Sequence, residues 1–415
     1  VVAGSLITST AISSMVNGNP AALWALVNTL DILMYVPLST NPLTPRLRAF
    51  FDGLDILELF VPNPFEYTFD PKLSPSNKQT FIEFGFESNL FLLNIGKKFT
   101  IFASVVAIWP LVWVFSKTEL PLLGRKCKAF LPEYKYGVFL RNWVQIFLDL
   151  SVASLIQVSV APSWNRIALI NYCTGALFGL LIAVTPLALT VFNIRNKNKI
   201  SGLSEESVFY RHWGTLFYEY KCQSNSFAPY TYLVFFLKRV IFALSLVLLG
   251  EYPVLQHGVN VVVMVGYTVF ILAVRPLKDK IEQATAIVTE IGTSLVFIGC
   301  SYFLQDFWRD HDQEAGEALI YLTLGIVMVQ SLAGVLPLAI TIVKWVKRKL
   351  TRSATRVEPG EDPESLNFFG ENQLVQEEQR ENTSLEVLSS EEREQPALVN
   401  SKQISETGPQ CSNNF

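Results

Sequence analysis

Histidine is scarce in this chain: His212, His257 and His311 are the three in 415 residues, and they lie far apart. That spacing excludes a histidine-box metal centre. The sequence holds no HExxH, no GxSxG and no Gly-rich phosphate loop. From the sequence, neither Asp31 nor Asp149 is expected to pair with a second aspartate as catalytic carboxylates. Enzyme is therefore the weakest functional class, and no cofactor or metal is expected. Cysteine is also sparse. None of the five lies in Ser39–Lys98, no pair has metal-ligand spacing, and no disulfide framework is visible. Charge is thin as well, at 17% of residues against 50% hydrophobic, and nothing in the pattern suggests a nucleic-acid partner.

Long apolar runs dominate what remains. Val1–Val16, Phe99–Ser116, Ile167–Ile194, Val254–Val274 and Ala318–Val343 carry no Asp, Glu, Lys or Arg. Ala21–Leu38, Trp143–Ser163, Tyr230–Gly250 and Ala284–Leu304 carry one or two each. A bilayer core of about 30 Å takes roughly 20 apolar residues of helix. The expected fold is all-α: a polytopic transmembrane helical bundle of about nine spans. Two spans fall in 1–38, an extracytosolic cap in 39–98 and a seven-span bundle in 99–350. The chain opens at Val1 inside an apolar run without Met or a basic stretch, so a longer protein with an upstream part is expected.

Loop charge orients the spans. Glu119–Arg141, Arg195–Lys221 and Arg275–Lys280 are rich in Lys and Arg, and the last run exits into Lys344, Lys347, Arg348 and Lys349. The alternate connections are short or acidic, and positive loops mark the cytosolic side. The C-terminus is thus expected in the cytosol, the cap outside, and the whole in the plasma membrane. Residues 351–415 carry thirteen Asp or Glu and five Lys or Arg, net -8. Few aromatics and no apolar period make that tail an expected disordered segment.

Ionisable residues inside spans are costly and face protein or water. Asp149, Lys238, Arg239 and Glu290 lie at similar depth in three spans that run outward. They are expected to form one intramembrane polar cluster. Its plainer reading is structural ion pairing; its sharper one is an ion, headgroup or voltage-sensing site. His257 reads as a satisfied interfacial histidine. In the last span Gly325, Gly334 and Pro337 form a candidate gate hinge.

The passage Gly214-Thr-Leu-Phe-Tyr-Glu-Tyr-Lys221 precedes Tyr230-Thr-Tyr-Leu-Val-Phe-Phe-Leu-Lys-Arg-Val-Ile-Phe-Ala243. Further on come Arg275-Pro-Leu-Lys-Asp-Lys-Ile-Glu282 and Glu290, and near the start Ala22-Leu-Trp-Ala-Leu-Val-Asn-Thr-Leu-Asp31 with Tyr35-Val-Pro-Leu38. In order and placement these resemble the TRP-like membrane proteins, which include fungal flavin-carrier/polycystin-like proteins and the C-terminal multi-span regions of large ciliate surface proteins. The resemblance implies a nine-span region in a group of cation channels. One departure stands out: Gln305–Glu317 is barely long enough for a re-entrant pore helix. It offers Asp306, Asp310 and Asp312 as a candidate outer mouth, without a filter motif.

The leading expectation is a TRP-like cation channel or channel-related transporter, with the lipid bilayer, inorganic cations and a second copy of the chain as candidate partners. Two alternatives are a seven-helix receptor-like signalling protein and a non-conducting anchor of a large surface ectodomain. The final seven spans have the receptor topology, but no Asp-Arg-Tyr-type triplet or outer cysteine pair accompanies them.

Overall fold

The computed structural model describes residues 21–39, 43–54, 61–69, 81–82, 84–86, 88–118, 124, 127–128, 131, 137–160, 165–202, 207–217, 219–304 and 312–354. The helices in chain order are α1 (Ala21–Met34), α2 (Val36–Ser39), α3 (Pro45–Asp52), α4 (Phe91–Ser116), α5 (Phe139–Val158) and α6 (Arg166–Arg195). They continue with α7 (Lys197–Ser201), α8 (Val208–Trp213), α9 (Thr231–Leu248), α10 (Pro253–Val274), α11 (Lys280–Cys300) and α12 (Asp312–Ala354). No strand occurs among the described residues; Tyr220 and Leu277 form an isolated antiparallel bridge. The chain divides into two compact units at Val343/Lys344, and the helical bundle is the first of them.

Among the described residues, seven helices are long and apolar enough to cross a membrane: α4, α5, α6, α9, α10, α11 and α12. Their polarity is inside out. Leu111, Leu180, Leu187, Ile241, Val262, Ile298 and Leu332 are exposed, whereas Asp149, Gln157, Asn171, Lys238, Arg239, Asn260 and Gln330 are buried. Apolar side chains outside and polar ones inside suit a hydrocarbon solvent. The chain is a multi-pass helical membrane protein. The expected first span, Val1–Val16, and the tail from 355 onward lie outside the described residues.

The second expected span takes another form. α1 is shorter than any of the long helices, the four-residue α2 follows an interruption at Tyr35, and Pro37 within α2 cannot donate a backbone bond. From Leu26 to Ser39 most positions are buried, as befits a helix apolar on nearly all sides. It runs through the middle of the bundle. α5 and α11 pack along it. Gln330 of α12 donates to Thr29 Oγ1 at 2.8 Å, and Gln256 of α10 donates to the Leu38 carbonyl at 3.1 Å.

The 39–98 segment also differs from expectation, because α4 begins at Phe91 and takes residues 91–98 into the bundle. Side chains from two neighbours hold its first turn. Phe91 N–H donates to Gln157 Oε1 at 2.9 Å, and Leu92 N–H donates to Asn171 Oδ1 at 2.8 Å, satisfying amides that a helix start leaves free. Asn63, which donates to the Leu93 carbonyl, fills the space above Gly96, where a Cβ would lie 1.8 Å from Asn63 Oδ1.

Candidate functional site

The expected single cluster of Asp149, Lys238, Arg239 and Glu290 is two clusters, divided according to which helix face each residue occupies. Lys238 and Arg239 are consecutive on α9 and so point about 100° apart. Lys238 turns to α11, where its Nζ donates to Glu290 Oε2 at 2.7 Å; the same ammonium lies 4.2 Å from the Tyr267 ring centroid of α10. Arg239 turns to the central helix and α5. It donates to Asn28 Oδ1 at 2.9 Å and to the Val144 carbonyl at 2.7 Å, stands 3.6 Å from Asp31 Oδ2, and lies 4.5 Å over Phe235.

Asp149 finds its partner in a residue outside the expected set. Lys98 of α4 stands 2.7 Å from Asp149 Oδ2 and 3.7 Å from Asp31 Oδ1. Tyr35, at the interruption of the central helix, donates its hydroxyl to Asp149 Oδ1 at 2.7 Å. Asp31, Lys98, Asp149 and Arg239 thus join four helices in a buried quartet whose formal charges cancel. Pairing of this kind is how ionised groups are accommodated away from water. Asn28 links the quartet onward, since Gln145 also donates to its Oδ1 at 3.3 Å.

A cavity of about 370 Å³ opens beside Lys238 and Glu290. Its mouth is built by two loops that bond to each other. Lys221 N–H donates to the Pro276 carbonyl at 2.7 Å, Lys278 N–H donates to the Glu219 carbonyl at 2.8 Å, and Asn225 Nδ2 donates to the Val274 carbonyl at 2.6 Å. Arg275 makes the reversal possible by taking a left-handed backbone (φ 46) at the end of α10. Asp279 then starts α11, accepting from Ile281 and Glu282 N–H. Glu219, Asp279 and Glu282 line the mouth with Arg141. Burial, reinforced by Glu282 and opposed by Arg141, raises the Glu219 carboxyl to about 7.

Deeper in, the wall includes Asn28, Gln145, Thr289 and Gln330. Thr289 and Gln330 are each 3% exposed. Thr289 Oγ1, Gln330 Oε1 and Gln145 Oε1 have no hydrogen-bond partner among the described residues.

Of the other expected residues, Asp306 and Asp310 lie outside the described residues, and Asp312 is the half-buried first residue of α12. Gly325, Gly334 and Pro337 all fall within the continuous helix α12, and the Pro337 side chain is outside the described residues. His257 is buried and bonds Ser301 at 2.8 Å near the far end of α10. No group of three or more His, Cys, Asp or Glu able to hold a metal ion occurs among the described residues.

No family model matches the chain, and it matches no curated protein and no solved structure.

Proposed function

We propose that the chain is the membrane-spanning part of a TRP-like cation channel or channel-related transporter. The observation that carries this reading is a polar track through the bundle. It starts at the acid-lined mouth, passes Lys238 and Glu290, and continues through Asn28 to the Asp31–Lys98–Asp149–Arg239 quartet. Charges so placed are costly in a bilayer protein and commonly mark ion pathways. The sequence passages that resemble the TRP-like group converge here as well. Asn28 and Asp31, Glu219 and Tyr220, Lys238 and Arg239, and Pro276 and Glu290 all belong to the cavity or to the quartet beside it.

With the basic loops in the cytosol, the cavity faces the cytosol and the C-terminus lies on the same side. Lys238 occupies Glu290 as a tethered cation, so passage of an external cation requires the Lys238 ammonium to leave that carboxylate. The receptor reading is less well supported, because the central helix fills the bundle interior and the cavity opens among the basic loops.

The test is cation flux into proteoliposomes containing the purified chain, with K⁺ and Na⁺ gradients and a dye readout. Flux above that of empty liposomes, altered severalfold by Glu290→Gln and by Lys238→Met, is expected. Wild-type flux equal to the empty-liposome leak sinks the conduction reading.

A further inference from the structure

We propose that the cavity beside Lys238 and Glu290 binds an organic ammonium ion with an apolar body. Four acids line it, Glu219, Asp279, Glu282 and Glu290, against two bases, Arg141 and Lys238, giving a formal wall charge of -4 + 2 = -2. That balance repels anions. Tyr220, Tyr232, Phe235 and Tyr267 add aromatic faces, which attract cations, and Ile32, Ile271 and Ile281 add aliphatic surface.

The protein already shows the binding mode. Its own Lys238 ammonium is gripped between the Glu290 carboxylate at 2.7 Å and the Tyr267 ring at 4.2 Å. Two nearly fully buried side chains of the wall, Thr289 and Gln330, keep polar atoms without a hydrogen-bond partner among the described residues. They are available to a ligand that brings its own polar hydrogens. Size points the same way. The cavity's 370 Å³ lies within the range of about 300–1,000 Å³ usual for small-molecule sites. A bare inorganic cation would leave most of it unfilled.

The inference shares the cavity with the conduction reading, but binding is measured at equilibrium without a gradient. Intact binding without flux therefore overturns only conduction, and flux without binding overturns only this site. The experiment is isothermal titration calorimetry of phenethylammonium chloride into the full chain in lipid nanodiscs at pH 8, with empty nanodiscs subtracted. Phenethyl alcohol serves as the uncharged analogue and sodium chloride as the inorganic control.

The expected result is saturable binding of one phenethylammonium per chain, with the alcohol at least tenfold weaker. Glu290→Gln should weaken binding by roughly 10- to 100-fold, as loss of a charge-assisted hydrogen bond does. Lys238→Met should strengthen it by about tenfold, because the competing ammonium is gone. Thr289→Val, close in shape and uncharged, should cost a few-fold and serves if either charge variant fails to fold. The proposal is overturned if wild type binds no phenethylammonium, if the alcohol binds equally, or if sodium chloride alone gives the same saturable heat. It is likewise overturned if folded Glu290→Gln and Lys238→Met variants bind as wild type does.

Discussion

Asp149→Asn tests whether the quartet is an electrically balanced unit. The substitution preserves shape and leaves an oxygen for the Tyr35 hydroxyl, but takes the formal charge of Asp31, Lys98, Asp149 and Arg239 from zero to +1. At an effective dielectric of about 20, the lost attraction between Lys98 and Asp149, 2.7 Å apart, is about 6 kcal/mol. Lys98 keeps Asp31 at 3.7 Å, although Arg239 shares that carboxylate at 3.6 Å. Relaxation and water entry reduce the gross figure, so a net destabilisation of about 3 kcal/mol is expected. Lys98→Met should cost a similar amount by leaving two aspartates to one arginine. The double variant has no unbalanced charge and should fall within about 1 kcal/mol of wild type, against about 6 kcal/mol if the effects added. SDS-induced unfolding in mixed micelles, followed by circular dichroism, measures all four proteins. A single Asp149→Asn variant as stable as wild type, or a double variant at the additive sum, refutes the balanced-quartet account.

Tyr35→Phe removes the hydroxyl that donates to Asp149 at 2.7 Å. It should cost about 1.5–3 kcal/mol in the same unfolding assay, more than an ordinary neutral hydrogen bond. Gly292→Ala places a Cβ 2.6 Å from Ile326 Cγ1 between α11 and α12. A loss of about 1–3 kcal/mol is expected; Ile326→Ala, which alone leaves a cavity costing about 2–5 kcal/mol, should cost less in the Gly292→Ala background, and strictly additive losses count against the clash. Glu219 has a folded-state value raised to about 7 from an ordinary 4.5, so the folded protein binds its proton more tightly than the unfolded chain. Stability should then be greatest below about pH 4.5, fall as pH rises towards about 7, and level off above. After allowance for solvent around a half-buried carboxyl, the fall is about 1–2 kcal/mol. Thermal unfolding of Glu219→Gln between pH 5 and 8 should lack this component, and an unchanged pH profile argues against the assignment.

The long helices were readable from apolarity because apolarity is what a bilayer selects. The runs from Phe99, Trp143, Ile167, Tyr230, Val254, Ala284 and Ala318 each reappear as one of the seven long helices. Apolarity does not say which helix lies in the middle. The sequence treats Ala21–Leu38 as one more span, yet its shorter helix takes the centre because its Asn28, Thr29 and Asp31 find partners on several sides. The same limit explains the missing residue of the quartet. Lys98 directly precedes a charge-free run and reads as the end of a loop, although the apolar pattern of Phe91–Ile95 already continues the helix upstream. Asn28 and Arg239 are 211 positions apart, and Tyr35 and Asp149 are 114 apart, so no helical period connects them.

The split between Lys238 and Arg239, in contrast, follows from their adjacency. Two consecutive helical residues cannot share one carboxylate partner on a neighbouring helix without distortion, so each recruits its own. Lys238 takes Glu290, at the cavity, and Arg239 takes Asp31 and Asn28, inside the central quartet. A movement that withdraws Lys238 from Glu290 must rotate or shift α9, and rotation of α9 also strains the contacts of Arg239. The two clusters are therefore coupled through one helix turn. Lys238→Met removes the Glu290 pair without rotating α9, so it should lower the barrier to rearrangement at the cavity while leaving the bonds of Arg239 to Asn28 and Val144 in place. Hydrogen exchange of the α9 amides reads both effects. Faster exchange next to position 238 with protection retained next to position 239 is expected, and equal loss at both positions means that the clusters act as one.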